Sequence, residues 1–276
     1  MSNRMREGPF QESSYYYPAE RIIAYLRTLK VTESYENQFL PPLDRKIAIL
    51  THDDQFDPEM FRIEQSQEIR STWFLLAERL GETIPAEADV HLHFDKEAST
   101  LGEQIETYRA KRGRSPRFNR IHRLLWRANN FDFPLLAMSG IEVDCTLIGT
   151  KPYRPTIEGR LLPIWEVPFS ITDRTERFMA SYSLSADFEV LFKAGLSPIV
   201  ILSHPFSVCA QHQLVSCFYE VLGLVKRYGY QSMDMSSFHD RFLSKGRPGG
   251  RDGKNQSVTR GSPAALDQDQ KTEGPP

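Results

Sequence analysis

The sequence predicts an α/β protein in which about seven parallel strands, with helices outside them, form an open sheet or close into a barrel. Short apolar runs rich in β-branched and aromatic residues recur along the chain. Helical patterns lie between them, and strand–helix alternation of that kind favours a parallel sheet. The histidine- and aspartate-bearing segments follow the apolar runs, at the rim where parallel α/β folds bind ligands.

In chain order, residues 1–15 are polar and read as loose. Ile22, Ile23, Tyr25 and Leu26 have helical spacing and predict a helix over 18–30, and Pro41-Pro42 ends this preamble. Candidate strands follow at 47–50, 71–75, 90–94, 118–121, 143–148, 163–169 and 198–202. Thr100 and Glu103 occupy capping-box positions before a helix over 101–111, and Gly113 stands beyond its end. Over 211–228, Leu214, Phe218, Val221 and Val225 share one helical face and Gly229 supplies the stop. From Leu243 onward aromatic residues vanish and Gly, Pro, Ser, Asp, Gln and Lys dominate, a composition too polar to offset the entropy of ordering. The expected organisation is an N-terminal extension with one helix (1–44), an α/β domain (45–243) and a disordered tail (244–276). No internal repeat is visible.

Composition narrows the class. The chain of 276 residues is 40% hydrophobic and 25% charged, with net charge -2 and no basic stripe, so nucleic acid is excluded as the expected partner. Cys145, Cys209 and Cys217 are odd in number and lack Cys-x-x-Cys spacing, which argues against a disulfide framework or a structural zinc cluster. The start Met1-Ser2-Asn3-Arg4 leads into no apolar segment, and no run approaches the roughly 20 residues that span a bilayer. The cytoplasm is the expected location.

Four segments carry candidate chemistry. Thr51-His52-Asp53-Asp54 follows the apolar run at 47–50. Adjacent carboxylates at a strand end repel unless a cation or proton intervenes. A hydrolase uses such a pair by giving one Asp to a metal and leaving the other to accept a proton from water; the competing reading is a helix cap or a solvated pair. In Val90-His91-Leu92-His93-Phe94 the two histidines point to one face of a strand and suit a borderline-soft divalent ion, unless they are simply solvated. Arg120-Ile121-His122 repeats that geometry with a cation and an imidazole; the alternative is an ion-paired Arg120 and a His122 packed beneath Trp126. His204, at the mouth of the apolar strand before Ser203-His204-Pro205, is placed for proton transfer or for a backbone hydrogen bond.

The order of these segments resembles the polysaccharide deacetylase family, the NodB-like metal-dependent carbohydrate esterases of the family 4 type. Those domains open with Thr-Phe-Asp-Asp, matched by Thr51-His52-Asp53-Asp54, and continue with Ala-Thr-Phe-Phe, matched by Ser71-Thr72-Trp73-Phe74. A metal-binding histidine, a strand arginine and an apolar-His segment follow, matched by Leu92-His93, Arg120 and Leu202-Ser203-His204. Gly149-Thr150-Lys151-Pro152-Tyr153 is similar to a later Gly-Thr-x-x-Pro-Tyr segment of divergent members but one residue shorter, and the resemblance spans about 46–241. It implies an irregular (β/α) barrel, commonly of seven strands.

It also implies a reaction: metal-assisted removal of an N-acetyl, or less commonly O-acetyl, group from a sugar-like substrate. Asp54 and His93 would hold one divalent ion, most suitably zinc. Asp53 would be the general base, oriented by Arg120. Protonated His204 would give its proton to the leaving amine, with Asp173 orienting it unless Asp173 instead caps a helix before Thr175. A backbone N–H near Tyr153 would help stabilise the oxyanion, placing Tyr153 among substrate-binding residues. The chain departs from the family where His-x-x-x-His is usual: Glu97 stands four residues after His93. The third ligand is therefore His122, His91 or Glu97, in that order. Gln55 replaces the glycine that usually follows the Asp pair.

Two other readings compete. An amidohydrolase-type hydrolase would use His91 and His93 together on a metal, although that pair is expected on the first barrel strand. A barrel without metal would bind a sugar or a protein, with Trp126, Trp165 or Tyr153 stacking on a ring.

Overall fold

The structure, a computed structural model, describes residues 19–31, 38–81, 83–124, 132–173, 184–205 and 212–244. Its strands are β1 (Ile47–Asp54), β2 (Ser71–Leu75), β3 (Asp89–Phe94), β4 (Phe118–Ile121), β5 (Val143–Asp144), β6 (Thr156–Ile157), β7 (Arg160–Leu161), β8 (Trp165–Glu166), β9 (Ile171–Thr172), β10 (Ile199–Ser203) and β11 (Gln231–Ser232). Its helices are α1 (Ala19–Thr28), α2 (Pro58–Ser66), α3 (Leu101–Arg112), α4 (Asp132–Met138), α5 (Leu184–Lys193), α6 (His212–Arg227) and α7 (Met235–Phe238).

The main sheet runs β8-β5-β4-β3-β2-β1-β10-β9, with β11 beside the start of β1, and every pairing in it is parallel. β8 and β9 are the two ends of one extended segment, 165–172. Val167 and Phe169 donate their N–H groups to Asp144 and Leu147 on the β5 side, and Ser170 donates to Val200 of β10. The two edges of the curled sheet therefore meet in a single piece of chain. Counting that segment as one position gives seven positions around the curl, in keeping with the irregular barrel expected from the sequence.

Alternation along β1 sends Ile47 and Ile49 inward and Ala48 and Leu50 outward. The inner cluster joins Ile47 and Ile49 with Phe74, Phe118, Val143, Val200 and Leu202. The outer cluster joins Ala48 and Leu50 with residues of the surrounding helices, among them Met60, Ile105, Phe192 and Leu222. With both faces covered, the strands are as apolar as a buried parallel sheet requires. At the amino ends of the strands, α7 and the π-helical turn His239–Leu243 close the interior with Met235, Phe238 and Leu243. Met233 N–H donates to Ala48, and Met235 N–H to Thr72 Oγ1. That plug leaves the carboxyl rim as the open end.

Local chemistry sets the element ends. Thr100 and Glu103 form the reciprocal capping box of α3, and Gly113 ends that helix at φ 67°. Asp57 caps α2 by accepting from Glu59 and Met60, with Pro58 at the first helical position. Several boundaries differ from the sequence reading. β1 extends to Asp54 because its polar end still pairs with β10 and β2. Within the runs 143–148 and 163–169, only Val143–Asp144 and Trp165–Glu166 are ladder strands. β9, β11 and the hairpin β6–β7 were not anticipated. The tail beyond Ser244, Trp126, Thr175 and Cys209 lie outside the described residues, whereas Cys145 and Cys217 are buried free thiols. No helix among the described residues is long and apolar enough to cross a membrane.

Candidate active site at the carboxyl rim

The site begins where β1 ends. Asp53 continues the inward series from Ile47 and Ile49. Alternation alone would turn Asp54 to the outer face, but its backbone is left-handed at φ 72°. That conformation costs a non-glycine residue on the order of 1–3 kcal/mol. It brings Asp54 Oδ1 to 3.4 Å from His93 Nε2, with Asp53 Oδ2 at 3.9 Å from the same nitrogen.

His93 lies one strand beyond β2. Its Nδ1 is 3.1 Å from the Arg120 carbonyl oxygen, which can only accept, so Nδ1 carries the proton and Nε2 presents a lone pair to Asp54. His122 opens the 3-10 turn after β4, and its Nε2 is 3.5 Å from Asp54 Oδ1. The two imidazoles stand edge to face with centroids 5.0 Å apart. Donor atoms of Asp54, His93 and His122 all lie within 4.8 Å of one another. Lone pairs converging on a carboxylate are stable only with a cation or proton among them. One oxygen and two imidazole nitrogens form a donor set that suits zinc and its neighbours. A proton at Nε2 is the alternative to a cation there: burial opposes ionisation of Asp54, but the hydrogen bond and charge of a protonated His93, with charge from His204 and His122, outweigh it and lower the carboxyl to about 2.

Arg120 reaches across the interior to this cluster. Its Nη1 donates to Asp53 Oδ1 at 2.7 Å and its Nε to the Cys145 carbonyl at 2.8 Å. On the other side, His204 follows β10 and Asp173 follows β9. His204 Nδ1 is 2.8 Å from Asp173 Oδ1, while the His204 backbone N–H donates to Asp173 Oδ2. Burial would depress the imidazole pKa; the Asp173 hydrogen bond and charge, joined by Asp53 and Asp54, win and raise it.

The remaining candidates separate from this cluster. His91 shares a face with His93 but lies two residues deeper, about 7 Å along the strand. Its Nε2 is held by Asp89 at 3.0 Å and Ser236 at 3.2 Å, beside the amino-end plug, so it is not a third ligand. Without it the paired-histidine arrangement of an amidohydrolase site is not formed. Glu97 is exposed and accepts from Arg123 at 2.7 Å, outside the cluster. The Tyr153 backbone N–H already donates to the Glu166 carbonyl at 2.9 Å, so that amide is not an oxyanion donor. Its ring lies against Phe39, and burial together with Glu166 and Asp144 pushes the phenol up to about 12. Asp95 and Glu64 were missed by sequence reasoning. Asp95 Oδ2 lies 3.2 Å from His122 Nδ1, and nothing local in the sequence marks it beyond its place two residues after His93.

No protein-family model matches the chain, and no curated protein matches it in sequence. Solved structures do. A protein of Mycobacterium smegmatis assigned as a polysaccharide deacetylase superposes with TM-score 0.54 at 14% identity, covering 88% of this chain and 100% of that one. The Xyl-CE4 domain of a multidomain xylanase from the hindgut metagenome of Trinervitermes trinervoides gives 0.48 at 14%, covering 71% and 91%. A family 4 acetyl xylan esterase from Clostridium thermocellum, in complex with a cobalt ion, gives 0.46 at 12%, covering 70% and 90%. The mycobacterial superposition shows that the fold is shared.

Proposed function

We propose that the chain is a divergent polysaccharide deacetylase, a hydrolase that removes an N-acetyl or O-acetyl group from a sugar-like substrate with one divalent ion. The observation that carries this reading is the convergence of Asp54, His93 and His122 beside Asp53. Those three residues would hold the ion, with zinc the best chemical fit. A divalent ion bound there would polarise an acyl oxygen and acidify a water molecule.

The chain's own groups do the rest. Asp53 has one oxygen fixed by Arg120, while the other faces the cluster and accepts the proton of the attacking water. Arg120 does not touch substrate; it fixes Asp53. His204, held by Asp173, gives its proton to the departing amine nitrogen, which leaves poorly without one. The shared fold and the order of the motif residues support the same reaction class.

The test is elemental analysis of the purified chain together with acetate release from a panel of N-acetyl sugars. One divalent ion per chain and release of acetate are expected. Asp54→Ala should lose the ion; Asp53→Asn should keep it and lose turnover. A chain that binds sugars without metal and releases no acetate would establish a binding barrel instead.

A further inference from the structure

The span from His93 to Glu97 contains a second carboxylate that the proposed reaction does not use. Asp95 follows β3 and is clamped from α3: its N–H donates to Gln104 Oε1 at 3.0 Å, and its carbonyl accepts from Gln104 Nε2 at 2.6 Å. Gln104 is itself buried and also donates to the Ser99 carbonyl. Asp95 Oδ1 accepts from the Glu97 N–H at 2.8 Å. The other oxygen, Oδ2, lies 3.2 Å from His122 Nδ1.

That nitrogen is buried and makes no aligned hydrogen bond among the described residues. Both carboxylate and imidazole are mostly shielded, at 17% and 18% side-chain exposure. A neutral imidazole has one N–H, and the partner of one ring nitrogen decides what the other offers. A carboxylate only accepts, so Asp95 selects the tautomer with its proton on Nδ1. The lone pair is then on Nε2, the atom that faces Asp54 at 3.5 Å.

Resting on the metal reading above, we propose that Asp95 is the positioning residue of this site: by holding His122 in its Nδ1–H form, it sets the affinity of Asp54, His93 and His122 for a divalent ion. The Asp95–His122 contact lies within hydrogen-bonding distance but is not aligned as a hydrogen bond. A carboxylate behind a ligating imidazole orients the ring and raises its basicity, and losing one typically costs about 10–100-fold in metal affinity.

Asp95→Asn makes the sharper test because it keeps the shape of the side chain. Its amide oxygen can still accept from Glu97 N–H, which turns the NH2 group toward His122 and favours the wrong tautomer. Zinc affinity of the full chain is read by competition with a chromophoric chelator. Asp95→Asn should bind zinc about 10–100-fold more weakly, and its metal-free form should melt with the wild type. In Asp95→Asn/His122→Ala the loss should be no greater than in His122→Ala alone. Wild-type affinity in Asp95→Asn, with affinity lost in His122→Ala, overturns the role of Asp95 only. Losses that simply add overturn it too, since Asp95 would then act apart from His122. Wild-type affinity in both single variants overturns the metal assignment itself.

Discussion

Arg120 and Asp53 form a sealed ion pair, with Nη1 2.7 Å from Oδ1 and side-chain exposures of 0% and 6%. The guanidinium lies 4.6 Å above the Phe74 ring and donates through Nε to the Cys145 carbonyl, so it has little room to turn. Arg120 takes one oxygen of Asp53. The other, Oδ2, is directed to the His93 side, 3.9 Å from Nε2. A buried pair of this kind is costly to form and need not stabilise the fold relative to apolar residues. Its consequence here is directional, because Asp53 has one oxygen committed and one facing the cluster.

That geometry separates stability from turnover. Removing one partner of a buried pair leaves an uncompensated charge and costs about 3–5 kcal/mol. Arg120→Lys should therefore lose stability despite keeping its charge, because an ammonium cannot serve both the Asp53 and Cys145 acceptors along the same directions. Its kcat should also fall, by about 100-fold or more if Asp53 is the general base, with metal content unchanged. Denaturant titration and acetate release measure the two losses. An Arg120→Lys protein with wild-type kcat would remove Arg120 from the positioning role.

The pairing of His204 with Asp173 predicts a pH profile. The imidazole pKa is raised above its ordinary 6.5, because Asp173, Asp53 and Asp54 together outweigh the burial that would lower it. A group with a raised folded pKa contributes stability that is complete below 6.5 and lost as pH rises through the folded value. A proton donor fails over that same alkaline range. The descending limb of kcat against pH should thus lie above 6.5, and Asp173→Asn should move it toward lower pH by removing the charge and one of the two acceptor oxygens. Rate profiles of the two proteins decide this; coincident limbs would show that His204 is not the titrating donor.

How legible the sequence was depends on how locally each feature is determined. β2, β4 and the capping box of α3 stand where spacing placed them, since β-branched runs and a Thr-to-Glu reciprocity act over a few residues. β9 and β11 contain two residues each and show no period; they exist because β10 and β1 offer open ladder positions. At the rim, strand ends correctly brought Asp54, His93 and His122 together. Period two made His91 look equivalent to His93, although it gives the face of a side chain and not its depth in the barrel. Asp95 and Glu64 act through contacts that only the fold creates.

A buried acid pair outside the rim should make stability fall with pH. Asp144 and Glu166 are neighbours in the β5–β8 ladder and fully buried. Burial raises both carboxyls, Glu166 the more strongly because Asp144 adds negative charge. The folded state then keeps a proton that the unfolded chain loses near the ordinary value of 4.5. Above that value the folded state binds more protons, so stability declines as pH rises toward the folded pKa, by at most about 1.4 kcal/mol per pH unit for each proton retained. Glu166→Gln can still accept from Leu147 N–H, now at 2.9 Å, and needs no proton. Urea denaturation between pH 5 and pH 8, a span of about 3 units over which the effect is readable, should give a flatter slope for the variant. Equal slopes would mean that this pair holds no excess proton.

Behind the sheet, His52 replaces the phenylalanine of the motif that its segment resembles, and it does so with a partner. Its Nε2 is 2.7 Å from Glu64 Oε1 with neither side chain exposed, and its Nδ1 is 2.7 Å from Ser203 Oγ. Ser71 Oγ donates to Glu64 Oε2, and the Trp73 indole N–H donates to Ser71 Oγ. The imidazole also packs on Trp73, with centroids 4.2 Å apart. Glu64→Ala leaves His52 buried without its acceptor and opens a void, so a loss of about 3–5 kcal/mol is expected. His52→Phe alone leaves Glu64 Oε1 buried without its partner, with only Ser71 on Oε2, and should also destabilise the fold. His52→Phe/Glu64→Leu removes both polar groups and restores apolar volume, and replacing a buried pair in that way is often neutral or stabilising. The double variant should consequently be more stable than either single one, a strongly non-additive cycle in denaturant unfolding. Additive losses would show that His52 and Glu64 stabilise the protein through separate contacts.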